Sequence, residues 1–256
     1  MDTSAPILSE VQGRVARIVL NRPDKKNAIT AEMYRLLGEA LAAADADSRV
    51  RAVLLHGSQD CFTAGNDLAD FLQRPAGAEP PVAGLFRTLP SLAKPIVAAV
   101  GGPAVGIGST LLLHCDLVYA APNARFQLPF VPLGIVPEFA STYLLPLLAG
   151  YQRAAELLLL GQPFTAEKAK EVGIVTDVIG VENLLSKARE VAETLAALPP
   201  ESLRQTKRLL KKRHGAAIAE AIAEETRIFA ERLASPEAKE AMSAFLEKRK
   251  PDFSRF

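Results

Sequence analysis

The chain has 256 residues, 49% of them hydrophobic, with 30 Lys and Arg against 29 Asp and Glu. That length buries a large core in one domain, or one domain with an appendage, without help from crosslinks or metal. A formal charge of +1 provides no whole-molecule field favouring nucleic acid or an anionic membrane, so any preference for anions must come from a local site. Cys61 and Cys115 are far apart, form no C-x-x-C pair and sit among apolar residues, which reads as reduced thiols of a cytosolic protein. Met1 to Pro6 carries Asp2 and no apolar h-region. No stretch approaches the roughly 20 apolar residues of a membrane span, so the expected location is the cytoplasm, with no membrane partner.

In chain order, Ile7 to Val11 and Val15 to Leu20 flank Gln12-Gly13-Arg14 as two β-rich runs around a turn, the pattern of a hairpin. Thr30 then precedes Met33, Leu36, Leu37, Ala40, Leu41 and Ala44 at helical spacing, with Glu32 near the positive helix end. The apolar runs Val50 to Leu55, Ile96 to Val100 and Leu117 to Ala121 follow, separated by the loop Gly57 to Gly65 and the Gly-rich Gly101 to Gly108. Strands alternate with helices, so the class is α/β. Between Phe71 and Val82 the composition shifts to Pro, Gly, Ala and Glu, which reads as a mobile surface loop able to gate a site. From Val181 strand signals stop, and helical patterns run over Val181 to Leu198, Ser202 to Lys212, Ala216 to Leu233 and Pro236 to Lys248. The expected division is a core over residues 1–195 and an all-helical region over 196–256.

Two segments can carry chemistry. In Cys61-Phe-Thr-Ala-Gly-Asn-Asp-Leu68 a strand leads into Ala64-Gly65, where the backbone can turn sharply, and Asn66 to Phe71 can begin a helix whose free N–H groups point outward. That geometry suits an anion or a developing oxyanion, although such a turn by itself is more often a plain loop. Lys94 to Asp116 is a buried strand, a Gly and Pro turn, and a helix whose N-terminus near Ile107 presents unsatisfied donors. Its spacing matches neither G-x-x-x-x-G-K-[ST] nor G-x-G-x-x-G, which argues against nucleotide phosphate binding by those motifs.

Asn21-Arg-Pro-Asp-Lys-Lys-Asn-Ala28, the Phe62 to Leu68 turn and the Lys94 to Asp116 segment together resemble the signature blocks of the crotonase, or enoyl-CoA hydratase/isomerase, family. The resemblance continues through Phe126 to Glu138 and Gly161 to Val175, so it covers nearly the whole chain. It implies a spiral of strand-strand-helix turns with a C-terminal helical trimerisation region, and a homotrimer or hexamer. It also implies an acyl-CoA thioester substrate, of which coenzyme A is a part, and no bound cofactor or metal.

In that family two backbone N–H groups hold the thioester carbonyl and stabilise the enolate left when a proton leaves the neighbouring carbon. The resemblance assigns these to Asn66 and Ile107, with Ala64, Gly65, Asn66, Asp67 and Leu68 binding the acyl-CoA substrate. The second position is usually Gly in the family and is Ile here, which narrows the pocket without removing a backbone donor. Arg22, Lys25 and Ala28 correspond to a loop that meets coenzyme A, and a solvated basic loop explains them equally well. Family hydratases carry two glutamates, at the positions of Thr110 and Phe130; neither residue here can activate water as a carboxylate does.

Glu138 instead falls where Δ3,Δ2-enoyl-CoA isomerases of the peroxisomal type carry a single catalytic glutamate. The wording Gly65-Asn66-Asp67-Leu68 and Gly102 to Ile107 resembles that subgroup too. A double-bond shift needs one base, which takes a proton from C2 and returns it at C4. Apolar Phe130, Leu133, Val136 and Phe139 nearby in sequence are expected to favour its neutral acid form. Without the family blocks, a Glu after Pro at a helix start would simply stabilise the helix dipole. The same-fold alternative is a hydratase or another enolate-forming acyl-CoA enzyme; the alternative of another class is a non-catalytic acyl-CoA-binding or RNA-binding trimer. His56 and His114 read as satisfied core histidines, and Arg204 to Arg213 as a solvated basic helix face rather than a nucleic-acid patch.

Overall fold

The protein is represented by a computed structural model that describes residues 4–67 and 80–256. The loop expected over Phe71 to Val82 falls almost wholly outside the described residues, as does Leu68. Strands β1 (Ile7–Gln12) and β2 (Val15–Leu20) form the expected antiparallel hairpin, with Ile7 opposite Leu20. Then β2, β3 (Ala52–His56), β4 (Ile96–Val100), β6 (Leu117–Ala120) and β9 (Asp177–Val178) run parallel, giving a six-stranded sheet in the order β1-β2-β3-β4-β6-β9. All five residues of β3 and of β4 are buried, the signature of parallel strands covered on both faces.

Alternate residues of these strands feed two different cores, because successive side chains point to opposite faces. Ala16, Ile18, Leu20, Val53, Leu55, Ile96, Ala98 and Val100 pack with helices α1 (Ala31–Ala46) and α2 (Ala83–Ser91). Val15, Ala52, Leu54, Val97 and Ala99 meet Leu184, Ala188, Ala192 and Ala196, spaced four apart along one face of helix α7 (Leu184–Ala197). The small side chains at three of those four positions let the helix lie close on the sheet. Helix α1 begins where the sequence indicates, with the Thr30 hydroxyl accepting from Met33 N–H at 3.2 Å.

A second sheet of three short strands, β5 (Pro103–Val105), β7 (Arg125–Gln127) and β8 (Phe164–Thr165), lies beside the first in chain path. The chain passes from β4 to β5 through Gly101-Gly102 and from β6 to β7 through residues 121–124, so successive turns of the spiral contribute strands to both sheets. Helices α3 (Ile107–Thr110), α4 (Ser141–Ala149), α5 (Tyr151–Leu160) and α6 (Ala166–Glu171) fill the returns.

After β9 the chain carries helices only: α7, α8 (Pro200–Lys212), α9 (Gly215–Leu233) and α10 (Pro236–Leu246). They pack on the rest of the same chain. The basic run on α8 is solvated at Arg204, Arg208, Lys212 and Arg213, as the pattern suggests, but Lys207 is buried, donating to Asp116 Oδ2 at 2.7 Å and Lys94 O at 2.6 Å. Lys211, one turn on, reaches His114 O at 3.3 Å. Leu203 and the aliphatic stems of Lys207 and Lys211 share the inward stripe, while Leu209 and Leu210 point outward, so periodicity does not single out the two lysines that turn inward. Among the described residues no helix is long and apolar enough to cross a membrane.

Candidate active site

The segment 63–67 is pinned on both sides by isolated parallel bridges, Ile29 with Asn66 and Thr63 with Ala104. Ile29 N–H donates to Gly65 O at 2.8 Å and Asp67 N–H to Ile29 O at 2.9 Å; on the other side Val105 N–H donates to Thr63 O at 3.1 Å. These bridges use the groups flanking Asn66 and leave its own N–H without a protein acceptor among the described residues. Gly65 makes the approach possible. Its φ is +90°, and a Cβ there would stand 2.9 Å from Val105 O. The helix expected to begin at Asn66 does not include that residue, which sits in a bridge; its continuation over 68–71 lies outside the described residues.

Across β5, the chain turns through Gly106 at φ 55°, ψ −117° and enters α3 at Ile107. Ser109 and Thr110 N–H both return to Gly106 O, at 2.9 and 3.0 Å. Ile107 stands at the first helical position, where no intrahelical acceptor exists, and its N–H has no protein partner among the described residues. Ile107 is fully buried, so its side chain lies in the core while only its amide is offered. Thr110 and Phe130 are also buried, at 0% and 4% exposure.

The loops before the site hold its shape. Tyr34 donates its hydroxyl to Asn66 Oδ1 at 2.6 Å, fixing the side chain of the residue whose amide is offered. The Arg22 guanidinium bridges Asp67 Oδ2 at 2.6 Å and Ala28 O at 3.0 Å, tying the Asn21 to Ala28 loop to the end of the segment. Buried Asn27 donates to the carbonyls of Cys61 and Phe62, at 3.1 and 3.0 Å. Ala64 and Asp67 are half-buried and Lys25 is exposed.

Glu138 is 5% exposed and lies before α4 rather than in its first turn, which starts at Ser141. The two residues after it, Phe139 and Ala140, are left-handed, at φ 61° and 57°. The Phe139 ring is sandwiched between Phe86, centroid distance 4.2 Å, and His114, 3.9 Å. His114 ends the 3₁₀ turn Leu111–His114 that continues α3, so the helix that opens at Ile107 is joined at its far end to the loop carrying Glu138. The joint is a hydrogen bond from His114 Nε2 to Phe139 O at 2.8 Å. Burial pushes His114 down to about 4, the bond to Phe139 O opposes this, and nearby Lys211 adds to it; the ring is therefore neutral at neutral pH with its proton on Nε2. His56 likewise is satisfied in the core, with Nδ1 2.7 Å from Gly57 O and Nε2 accepting from Arg17 Nε. Phe86 and His114 also line a mainly apolar cavity of about 620 Å³, with Leu144 and Ile222 among its apolar walls and Arg87 and Lys211 among its polar ones.

Two residues that bond to the segments around these groups carry no sequence signal. Tyr34 reads only as one more core position of α1, and Glu225 as one acid among several on α9. Two backbone amides without a protein acceptor among the described residues, on segments joined through the Thr63 and Ala104 bridge, and a buried carboxylate on a left-handed turn are the groups from which an oxyanion cradle and a base can be built.

Comparison with known proteins accords with that class of site. The family model for enoyl-CoA hydratase/isomerase matches residues 10–255. The chain is 37% identical to the 1,2-epoxyphenylacetyl-CoA isomerase of Escherichia coli K12, over 97% of this chain and 98% of that protein. It is 39% identical to the enoyl-CoA delta isomerase 2 of Rattus norvegicus, over 82% of this chain and 55% of that longer protein. A crystal structure of an enoyl-CoA hydratase/isomerase from Pseudoalteromonas atlantica T6c aligns with a TM-score of 0.93 and 42% identity, covering 97% of this chain and 100% of that one. The chain belongs to the enoyl-CoA hydratase/isomerase, or crotonase, family, and its fold is the crotonase spiral.

Proposed function

We propose that the protein is a Δ3,Δ2-enoyl-CoA isomerase, shifting the double bond of a 3-enoyl-CoA to the 2-position through a dienolate. The thioester oxygen is received by the amides of Asn66 and Ile107, and Glu138 takes the proton from C2 and returns it at C4. The observation that carries this reading is the choice of carboxylate: Glu138 is buried on a fixed turn, whereas Thr110 and Phe130 offer no ionisable group. Hydration needs groups that position and activate water; a double-bond shift needs one shuttle. Loss of one oxyanion donor costs ~2.7–4 kcal/mol of transition-state stabilisation in other enzymes, so the paired amides can supply much of the driving force for proton abstraction.

The apolar cavity bordered by Phe86 and His114 is of a size and lining that suit a hydrocarbon chain. The exposed Leu147, Leu148, Tyr151, Leu159 and Leu160 of α4 and α5 are the face we assign to neighbouring copies in a homotrimer or hexamer. The test is turnover of defined 3-enoyl-CoA and 2-enoyl-CoA by wild type and Glu138→Gln. Isomerisation of the 3-enoyl thioester is expected, with kcat reduced about 10²–10⁴-fold in the variant. Activity confined to the 2-enoyl thioester and surviving Glu138→Gln would sink the isomerase reading in favour of a hydratase.

A further inference from the structure

The second buried carboxylate of this region is Glu225, 6% exposed, on the C-terminal helix α9. It crosses from 85 residues downstream to the start of α4. Its Oε2 accepts from Ala140 N–H at 2.6 Å, and its Oε1 from Thr142 N–H at 3.0 Å and the Thr142 hydroxyl at 2.5 Å. Ala140 is the N-cap residue of α4, has no side-chain acceptor of its own to offer, and sits at φ 57°, ψ 21°. No acidic residue lies in the first turn of that helix. A local Ser, Asp or Asn would be the ordinary cap; here an anion from a distant helix fills the place, satisfying amides that would otherwise be orphaned at the positive helix end.

We infer that Glu225 is a positioning residue for the proton shuttle: by gripping Ala140 and Thr142 it holds the left-handed pair Phe139-Ala140, and through it the direction in which Glu138 is presented. The inference rests on the reading of Glu138 given above. Two consecutive left-handed residues without glycine are unfavourable for L-amino acids and persist only where surrounding contacts impose them. The Phe139 half is imposed by the stacked Phe86 and His114 rings and the His114 hydrogen bond. The Ala140 half is imposed by Glu225. A charged carboxylate suits this place because three donors converge on two oxygens; a glutamine would turn an N–H₂ toward one of those donors. Burial raises the Glu225 carboxyl above the ordinary range, with the Thr142 and Ala140 donors opposing that shift. The device also gives the C-terminal helices a share in the site of their own chain.

The experiment measures steady-state isomerisation and C2 proton exchange in deuterated buffer for wild type, Glu138→Gln, Glu225→Gln and the double variant Glu225→Gln/Ala140→Gly. A displaced base costs rate rather than binding, so Glu225→Gln is expected to lower kcat and exchange by about 10²-fold with KM within about twofold of wild type. Glycine adopts the left-handed conformation unaided, so Ala140→Gly in the same background is expected to restore part of that kcat. If Glu225→Gln does not accumulate folded, Glu225→Asp, which keeps the charge but falls one methylene short, is measured against the same expectations. A Glu225 variant with wild-type kcat beside an inactive Glu138→Gln overturns the inference. So does a double variant that regains thermal stability without regaining kcat. Turnover surviving in Glu138→Gln overturns the reading of Glu138 itself, whatever the Glu225 variants do.

Discussion

Replacing His114 by Gln removes a titrating ring but keeps an N–H₂ donor that can reach Phe139 O, so it isolates the acid sensitivity of this joint. In the folded protein His114 is pushed down to about 4, against an ordinary value of 6.5. Between those values the unfolded chain binds a proton that the native state refuses. Unfolding free energy therefore rises with pH over this window and is lost as pH falls from the ordinary value toward the folded one, levelling off below it. Integrated from about pH 7.5 to about pH 5, the loss attributable to this one ring is about 2 kcal/mol. Urea unfolding of wild type and His114→Gln at a series of pH values measures it. The variant starts lower at neutral pH, by the cost of a less well-packed neighbour for Phe139, but its curve is shallower on the acid side by that 2 kcal/mol. Parallel curves for the two proteins over this window would refute a buried neutral His114, and with it the donor assignment of the bond to Phe139 O.

Two further outcomes follow from hydrogen bonds at a distance from the reacting atoms. Tyr34→Phe removes the 2.6 Å bond to Asn66 Oδ1 while keeping the ring in the core; the expected cost is about 1 kcal/mol in stability, with a several-fold lower kcat for the 3-enoyl thioester as Asn66 loosens. An unchanged kcat would mean that the backbone bridges alone fix the Asn66 amide. Lys207→Met strips the cation from Asp116 and from Lys94 O. Because the Asp116 side chain remains 24% exposed and keeps the Ile96 N–H at 2.8 Å, the expected destabilisation is about 2–3 kcal/mol, below the cost of orphaning a fully buried partner. Urea midpoints with unchanged slope check it, and a loss under about 0.5 kcal/mol, the level of an ordinary surface substitution, would show that Lys207 is not an anchor of α8.

A helix N-terminus favours a nearby negative charge, so any acid beside it is a candidate cap. In this molecule the start of α4 is occupied by Glu225, so Glu138, three residues upstream of the helix, is not the residue that caps it. The start of that helix is thus satisfied by an acid other than the one proposed as the proton shuttle.

The α/β class, the opening hairpin, the strong helix after Thr30 and the helical C-terminal region follow from periodicity and capping, because those signals are local and repeat over many residues. Gly65 and Gly106 could be read as turns, and the blocks around them, in their order, already pointed to the family. What local pattern does not contain is partnership across the chain. Of the helix read over Asn66 to Phe71 only the first two residues are described, and there Asn66 forms a bridge to Ile29, a partner 37 positions away that local pattern does not contain. Lys207 read as solvated with the rest of its run because alternation of charge and Leu cannot tell which position meets Asp116. Tyr34 and Glu225 acquire roles only when folding brings them to Asn66 and to Ala140. The sequence, through its resemblance to the family, thus pointed to the backbone amides and the carboxylate proposed for the chemistry. Tertiary structure decided what holds them still, because those restraints are single hydrogen bonds between residues far apart in the chain.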